Sequence, residues 1–216
     1  MTKLDMDGIE LFIEDADGYL QINDVGGDDL SRIWARLKTG YSGYDKWFCY
    51  HNTEVPYNAL GGIGASLKDD CIEMRLSADG FQATDMVDVI QITEDNYDEF
   101  AAYHDQRHPD MYWTSERIRR DLSRWGIFVL REDDQIVGCL LLAMGDPICA
   151  EVFCADAADG GQCERLLRYA AGFAFRGGKK ETLYMADANT IGRQGALAAG
   201  FAVTGFYKGY QIERAR

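Results

Sequence analysis

Apolar residues recur along this chain at two spacings, and the alternation between them predicts its elements. Leu30, Ile33, Trp34 and Leu37 fall three and four residues apart, on one face of a helix that Asp28 or Asp29 is suited to cap. The same period returns in Tyr97, Phe100, Ala101 and His104, in Ile118, Leu122 and Trp125, and in Cys163, Leu166, Leu167, Ala170 and Ala174. Between these stretches lie short apolar or alternating runs at 11–14, 19–23, 46–50, 87–92, 126–131, 136–143, 149–155 and 182–186, which read as strands. The acidic turn Glu132-Asp133-Asp134-Gln135 marks a hairpin. A second hairpin is expected from 65–67 and 71–76, split by Lys68-Asp69-Asp70. Thr93 with Glu94 and Asp95 opens one helix, His108-Pro109-Asp110 breaks it, and Thr114 or Ser115 caps the next.

The stretch 149–201 organises the rest. A strand enters a Gly-bearing turn at 156–161, a helix follows, then a second strand and a small-residue helix stopping at Gly200-Phe201. Such a βαβ unit points a helix N-terminus, with its unpaired amides, at whatever lies beyond the first strand.

These residues resemble the acyl-CoA-binding core of the GNAT superfamily of N-acetyltransferases. That family carries Gln/Arg-x-x-Gly-x-Gly/Ala between its fourth strand and third helix, often with an Asn opening the next helix and Gly-Phe closing it. Here the loop aligns as Ala158-Asp159-Gly160-Gly161-Gln162-Cys163, the Asn as Asn189 and the pair as Gly200-Phe201. Within the loop only Gly161 matches. The resemblance implies an α/β GNAT fold, a mixed central sheet flanked by helices, with 86–216 a complete domain. Residues 46–77 line up loosely with 181–213, Asn52 answering Asn189. Residues 1–85 are therefore expected to be a partial GNAT-like repeat, joined through a linker at 77–85.

The resemblance also implies acetyl-CoA as co-substrate and a small-molecule or peptide amine as acceptor. It assigns cofactor contacts to Phe153, Cys154 and Ala155 on the strand, to Gly160, Gly161, Gln162 and Cys163 on the loop and helix, and to Asn189. Glu151 matches the general base of the histone-acetyltransferase branch, and in an apolar strand it would be a strong one. The usual Tyr acid is Ala196 here, which leaves Tyr207, or Tyr184, to protonate the leaving thiolate. Arg107, His108, Tyr112 and Trp113 lie where relatives shape the acceptor pocket. Asp159-Gly160-Gly161-Gln162 also has the spacing of a capping box, in which Asp159 would satisfy amides that CoA needs. Two readings follow: acetyl transfer by direct attack, or a catalytically degenerate GNAT-fold module binding a small molecule or protein partner.

Composition narrows the partners. The 216 residues are 47% hydrophobic and carry a formal charge of −14, which disfavours nucleic acid and anionic membranes. Six cysteines form no CxxC pair, and with three histidines no metal site is expected. The N-terminal residues lack a basic, then apolar, leader pattern, and a reducing cytoplasm is the expected location.

Overall fold

The computed structural model describes residues 2–82, 87–109, 111–187 and 190–214. They divide into two compact units, Ile72–Thr204 and Met1–Cys71 with Gly205–Arg216.

The discontinuous unit begins with a hairpin that the apolar pattern alone misses. Asp7 and Gly8 both take positive φ, 57° and 84°, the combination a two-residue hairpin turn requires. They join β1 (Thr2–Met6) to β2 (Ile9–Glu14). β3 (Tyr19–Asn23), α1 (Gly27–Gly40) and β4 (Asp45–His51) make a strand–helix–strand crossover, with β3 and β4 parallel. α1 is capped by Gly26 rather than by Asp28 or Asp29, which occupy its first turn instead. α2 (Tyr57–Ile63) leads to β5 (Ser66–Ser77). The C-terminal strand β11 (Ala202–Ile212) pairs antiparallel with β4, from Tyr207 opposite His51 to Ile212 opposite Lys46. The order is β1-β2-β3-β4-β11-β5, over a core of Leu11, Leu20, Ile22, Leu30, Ile33, Leu37, Phe48 and Tyr50.

The hairpin expected at 65–76 is one continuous strand. Lys68-Asp69-Asp70 contains no residue at positive φ. Its charges are placed across the strands instead, with Lys208 on Asp70 at 2.6 Å, so the polar triplet reads as a strand with partners rather than as a turn.

The contiguous unit holds β6 (Val89–Gln91), α3 (Tyr97–Arg107), α4 (Ser115–Arg120), β7 (Trp125–Glu132), β8 (Gln135–Ala143), β9 (Cys149–Asp156), α5 (Gly160–Arg176), β10 (Glu181–Asp187) and α6 (Ile191–Ala198). Trp125, expected on a helix, opens β7. Strand order is β5-β10-β9-β8-β7-β6. β9 and β10 are parallel, while β6 to β9 form an antiparallel run. Alternate residues of β7, β8 and β9 face opposite layers. Phe128, Leu130, Leu140, Leu142, Ala150 and Val152 pack with α5, and Ile127, Val129, Cys139 and Leu141 pack with α3 and α4.

These limits differ from the expected 1–85 and 86–216. β5 contributes to both units, because Met74 lies in the α5 cluster, and β11 closes the sheet that begins at the N-terminus. The expected linker at 77–85 lies outside the described residues from position 83. Its earlier part turns at Ala78–Gly80, with the Ala78 amide on the Lys180 carbonyl at 2.8 Å.

Candidate active site

The site is built by two irregularities in β9. Against β8 the register slips by one residue: Leu141 faces Cys154 but Leu142 faces Val152, so Phe153 is a bulge. Against β10 the parallel ladder runs from Cys149–Glu181 to Val152–Tyr184 and goes no further. From Phe153 onward the strands part. The opening is a cleft of about 280 Å³ with Phe153, Cys154 and Ala155 on one wall, Tyr184, Met185 and Asp187 on the other, and residues 190–192 at its end. The carboxyl end of parallel strands is where open α/β sheets place ligands.

Gly192 fits this geometry. A Cβ there would strike the Tyr184 hydroxyl, so the absent side chain lets α6 sit against the phenol. Gly195, one turn on, lets α6 close on α5, since a Cβ would come within 2.6 Å of Cys163 Cβ and 2.9 Å of the Glu164 amide.

α5 begins at the same end. Asp159 is its N-cap, accepting from the Gln162 amide at 2.8 Å, while the Asp159 carbonyl accepts from the Cys163 amide at 3.1 Å. Half of the expected capping box forms. The Gln162 side chain instead accepts from the Ala158 amide at 2.9 Å, one residue earlier than the motif places it. Asp156 is engaged away from the loop. Arg107 grips it with two bonds of 3.0 and 3.1 Å, and the Tyr103 hydroxyl donates to it at 2.7 Å. Although burial works against its charge, these bonds hold its carboxyl below the usual range.

Glu151 lies in the still-paired part of β9, opposite Ala143 and Leu183. Pairing with Ala143 puts it on the face that carries Cys139 and Leu141. It is exposed, so the apolar setting expected for it is absent. Rings line the same face: Tyr112 against Trp113 at 5.4 Å, Trp113 against Trp125 at 5.2 Å, and Trp125 against Phe153 at 5.6 Å. The expected acceptor residues thus separate by role. Tyr112 is exposed with the Arg117 guanidinium over its ring, Trp113 is packing, and Arg107 is held by Asp156. His108 sits 3.7 Å from the Cys154 sulfur. Burial, with His104 beside it, pushes the His108 imidazole down, and burial pushes the Cys154 thiol up to about 12. A thiol so raised is a poor nucleophile.

Tyr207 belongs to the other unit, where its hydroxyl meets the Cys49 sulfur at 3.2 Å and burial pushes its ionisation up. Asn189 lies outside the described residues. The cleft residues that the sequence reading left unassigned are Met185, Asp187, Thr190, Ile191 and Gly192. Their only signal was proximity to the small-residue helix.

No protein-family model and no curated protein matches the chain by sequence. Solved structures do. A conserved protein of unknown function from Staphylococcus epidermidis aligns over 99% of this chain and 94% of its own, at 12% identity and TM-score 0.73. A GCN5-related N-acetyltransferase from Kribbella flavida aligns over 99% and 90%, at 13% identity and TM-score 0.73. The chain has the GNAT fold. N-myristoyltransferase from Saccharomyces cerevisiae, solved with bound myristoyl-CoA, aligns over 92% of this chain and 60% of its own, at 9% identity and TM-score 0.57. Among the described residues, no helix of this GNAT fold is long and apolar enough to cross a membrane.

Proposed function

We propose that the chain is an acyl-CoA-dependent N-acyltransferase that moves an acetyl group to an amine by direct attack. The observation that carries this reading is the parting of β9 from β10 after Val152–Tyr184, beside the N-terminus of α5. At about 280 Å³ the cleft is at the small end of ligand pockets, which run from about 300 Å³.

The residues fit acetyl-CoA in two places. Asp159 takes the Gln162 and Cys163 amides, which gives Gly160 and Gly161 the task of meeting the pyrophosphate at the positive end of α5. The β9 edge from Phe153 to Ala155 has left the β10 ladder and offers backbone donors to a thioester oxygen. Bound acetyl-CoA supplies an acyl group already activated as a thioester.

Glu151 takes the proton that the acceptor's ammonium must lose before nitrogen can attack, either directly or through one water. Amides of β9 hold the charge that gathers on the carbonyl oxygen, the term that commonly dominates acyl transfer. As the C–N bond forms and the C–S bond breaks, the Tyr184 hydroxyl is the cleft's candidate to protonate the departing sulfur. A thiolate whose conjugate acid ionises near about 8.5 needs little help in leaving. The face with Tyr112, Arg117 and Glu151 receives the amine, and the acidic surface favours a cationic one.

Calorimetry with acetyl-CoA at low salt, followed by release of free CoA thiol in the presence of amines, tests the reading. Binding with thiol release supports it. Saturable binding of a partner or small molecule without acetyl-CoA binding would move the chain to the degenerate-module alternative, which Ala158 and the capped Gln162 amide favour.

A further inference from the structure

On the face of β8 and β9 that packs with α3 and α4, the face that also carries Glu151, is a cluster whose side chains have no part in the acyl transfer proposed above. His104 and His108 are one turn apart at the end of α3, with ring centroids 5.3 Å apart. Cys139 is fully buried on β8 beneath them. One donor atom from each of His104, His108 and Cys139 fits within 4.8 Å of the others. Cys154, on the same face of neighbouring β9, brings its sulfur to 3.7 Å from His108 Nε2.

The protonation of His104 is fixed by its partner. Its Nε2 lies 2.8 Å from the Trp113 carbonyl oxygen, which can only accept, so Nε2 carries the proton. In the neutral ring Nδ1 is then the acceptor. It is buried, on a residue with no exposed surface, and among the described residues it has no hydrogen-bond partner. A buried acceptor without a donor is normally destabilising. An imidazole with one nitrogen bonded to a carbonyl and the other without a partner is prepared for a metal ion.

We propose that His104, His108, Cys139 and Cys154 form a structural Zn²⁺ site that ties α3 to β8 and β9 beside the cleft. Two imidazoles and two thiolates are a set that zinc takes tetrahedrally. Bonds of about 2.0–2.3 Å place donors roughly 3.5 Å apart, so His104, His108 and Cys139 close with shifts of about 1 Å, and Cys154, outside their 4.8 Å set but against His108, swings in as the fourth ligand. Binding releases the two thiol protons, and the two thiolates offset the dication, leaving a neutral complex in an apolar layer. Four protein ligands leave no position for water, so the ion holds structure and takes no part in acyl transfer. The inference is independent of the function proposed above. It reverses the expectation from the low histidine count, because spacing along the chain conceals that β8 and β9 bring both sulfurs to one face.

The test uses the full chain, stripped of metal by a chelator under reducing conditions. Zn²⁺ is titrated against a chromophoric chelator, and Co²⁺ is used as a spectroscopic probe. A single equivalent of zinc taken up, with thiolate-to-cobalt charge transfer and tetrahedral d–d bands, is the expected result. Cys139→Ala and His104→Phe should each weaken zinc binding by ~10²-fold or more, whereas Cys71→Ala, outside the cluster, should leave it intact. Zinc should also raise the melting temperature of the wild type, with no such rise in Cys139→Ala. Absence of the cobalt–thiolate bands in the wild type overturns the proposal even if the variants fail to fold. Zinc uptake that persists unchanged in Cys139→Ala overturns it equally.

Discussion

Two strand–helix–strand crossovers in this chain share a connection and differ at their ends. In β3-α1-β4 the ladder runs unbroken from Tyr19–Asp45 to Asn23–Cys49. Asp24 then continues it, its amide on the Cys49 carbonyl at 2.8 Å and its carboxylate accepting from the His51 amide at 2.8 Å and the Thr53 hydroxyl at 2.6 Å. The position where a ligand would part the strands is filled by the chain itself. The hollow beside it, about 400 Å³, includes Glu10 and Asp29 in its lining and suits an anion poorly. In β9-α5-β10 the bulge at Phe153 and the gap after Val152–Tyr184 leave the strands apart. A crossover with a helix N-terminus is therefore not yet a site. The opening comes from a register defect on one strand and a missing Cβ at Gly192.

The largest effect should come from the chemistry that the open end is proposed to perform. Glu151→Gln is expected to lower kcat by ~10²-fold or more near neutral pH, with partial recovery at high pH where the amine is already neutral. A pH–rate profile identical to that of the wild type would remove Glu151 from the mechanism. The next concerns the two glycines of α6. Gly195→Ala drives a Cβ into Cys163 and the Glu164 backbone, and should cost about 1–3 kcal/mol in urea unfolding. Gly192→Ala clashes with the end of one side chain, Tyr184 Oη, and otherwise comes no nearer than 3.4 Å, to Tyr184 Cζ and Thr190 Oγ1. Adding Tyr184→Phe should therefore recover part of its loss, a coupling of about 0.5–3 kcal/mol in a double-mutant cycle. Additive losses would mean that the phenol does not press on α6.

Opening the closed crossover sharpens the contrast. Asp24→Ala strips the acceptor from the His51 amide and puts Ala at φ 52°, and about 1–3 kcal/mol of stability should go. Acetyl-CoA affinity, read by calorimetry, should not change. The smallest effect is expected at the cap of α5. Asp159→Asn keeps most of the cap while removing a negative charge near the proposed phosphates. Binding of CoA should tighten about fivefold at low salt, and less as salt is added. Unchanged or weaker binding would show that this loop does not limit the cofactor.

Much of this architecture was legible because helices and buried strands carry their periods locally. Leu166, Leu167, Ala170 and Ala174 name the buried face of α5 without help from the rest of the chain. The β7–β8 hairpin is likewise legible in its turn, where Asp133 and Asp134 take φ of 49° and 62°. Register is different, being a property of two strands at once. Nothing in the run around Phe153 marks it as the extra residue, and nothing near Lys68 tells that Lys208 will face Asp70. Phe153–Ala155, one wall of the cleft, could be named from the sequence as a strand end, and Gly160–Gly161 as a helix start. The opposite wall, Tyr184 to Asp187, depends on how far two parallel strands stay paired. His104 and His108 carry a helical spacing in plain view, but their sulfur partners arrive only through the β8–β9 pairing.

The route of β11 has a consequence for how the protein is made. Its last six residues pair with β4, and the Arg214 amide reaches Asp45 from 169 residues away. At synthesis rates of ~5–20 residues per second, β4 leaves the ribosome roughly 10–30 s before its partner exists. Residues 72–204 have no such wait, being contiguous. The middle of the chain can therefore finish folding while the part made first still exposes a strand edge, the kind of surface that recruits neighbouring nascent chains. The demand on chaperones is expected to fall on β4 and its neighbours until β11 emerges.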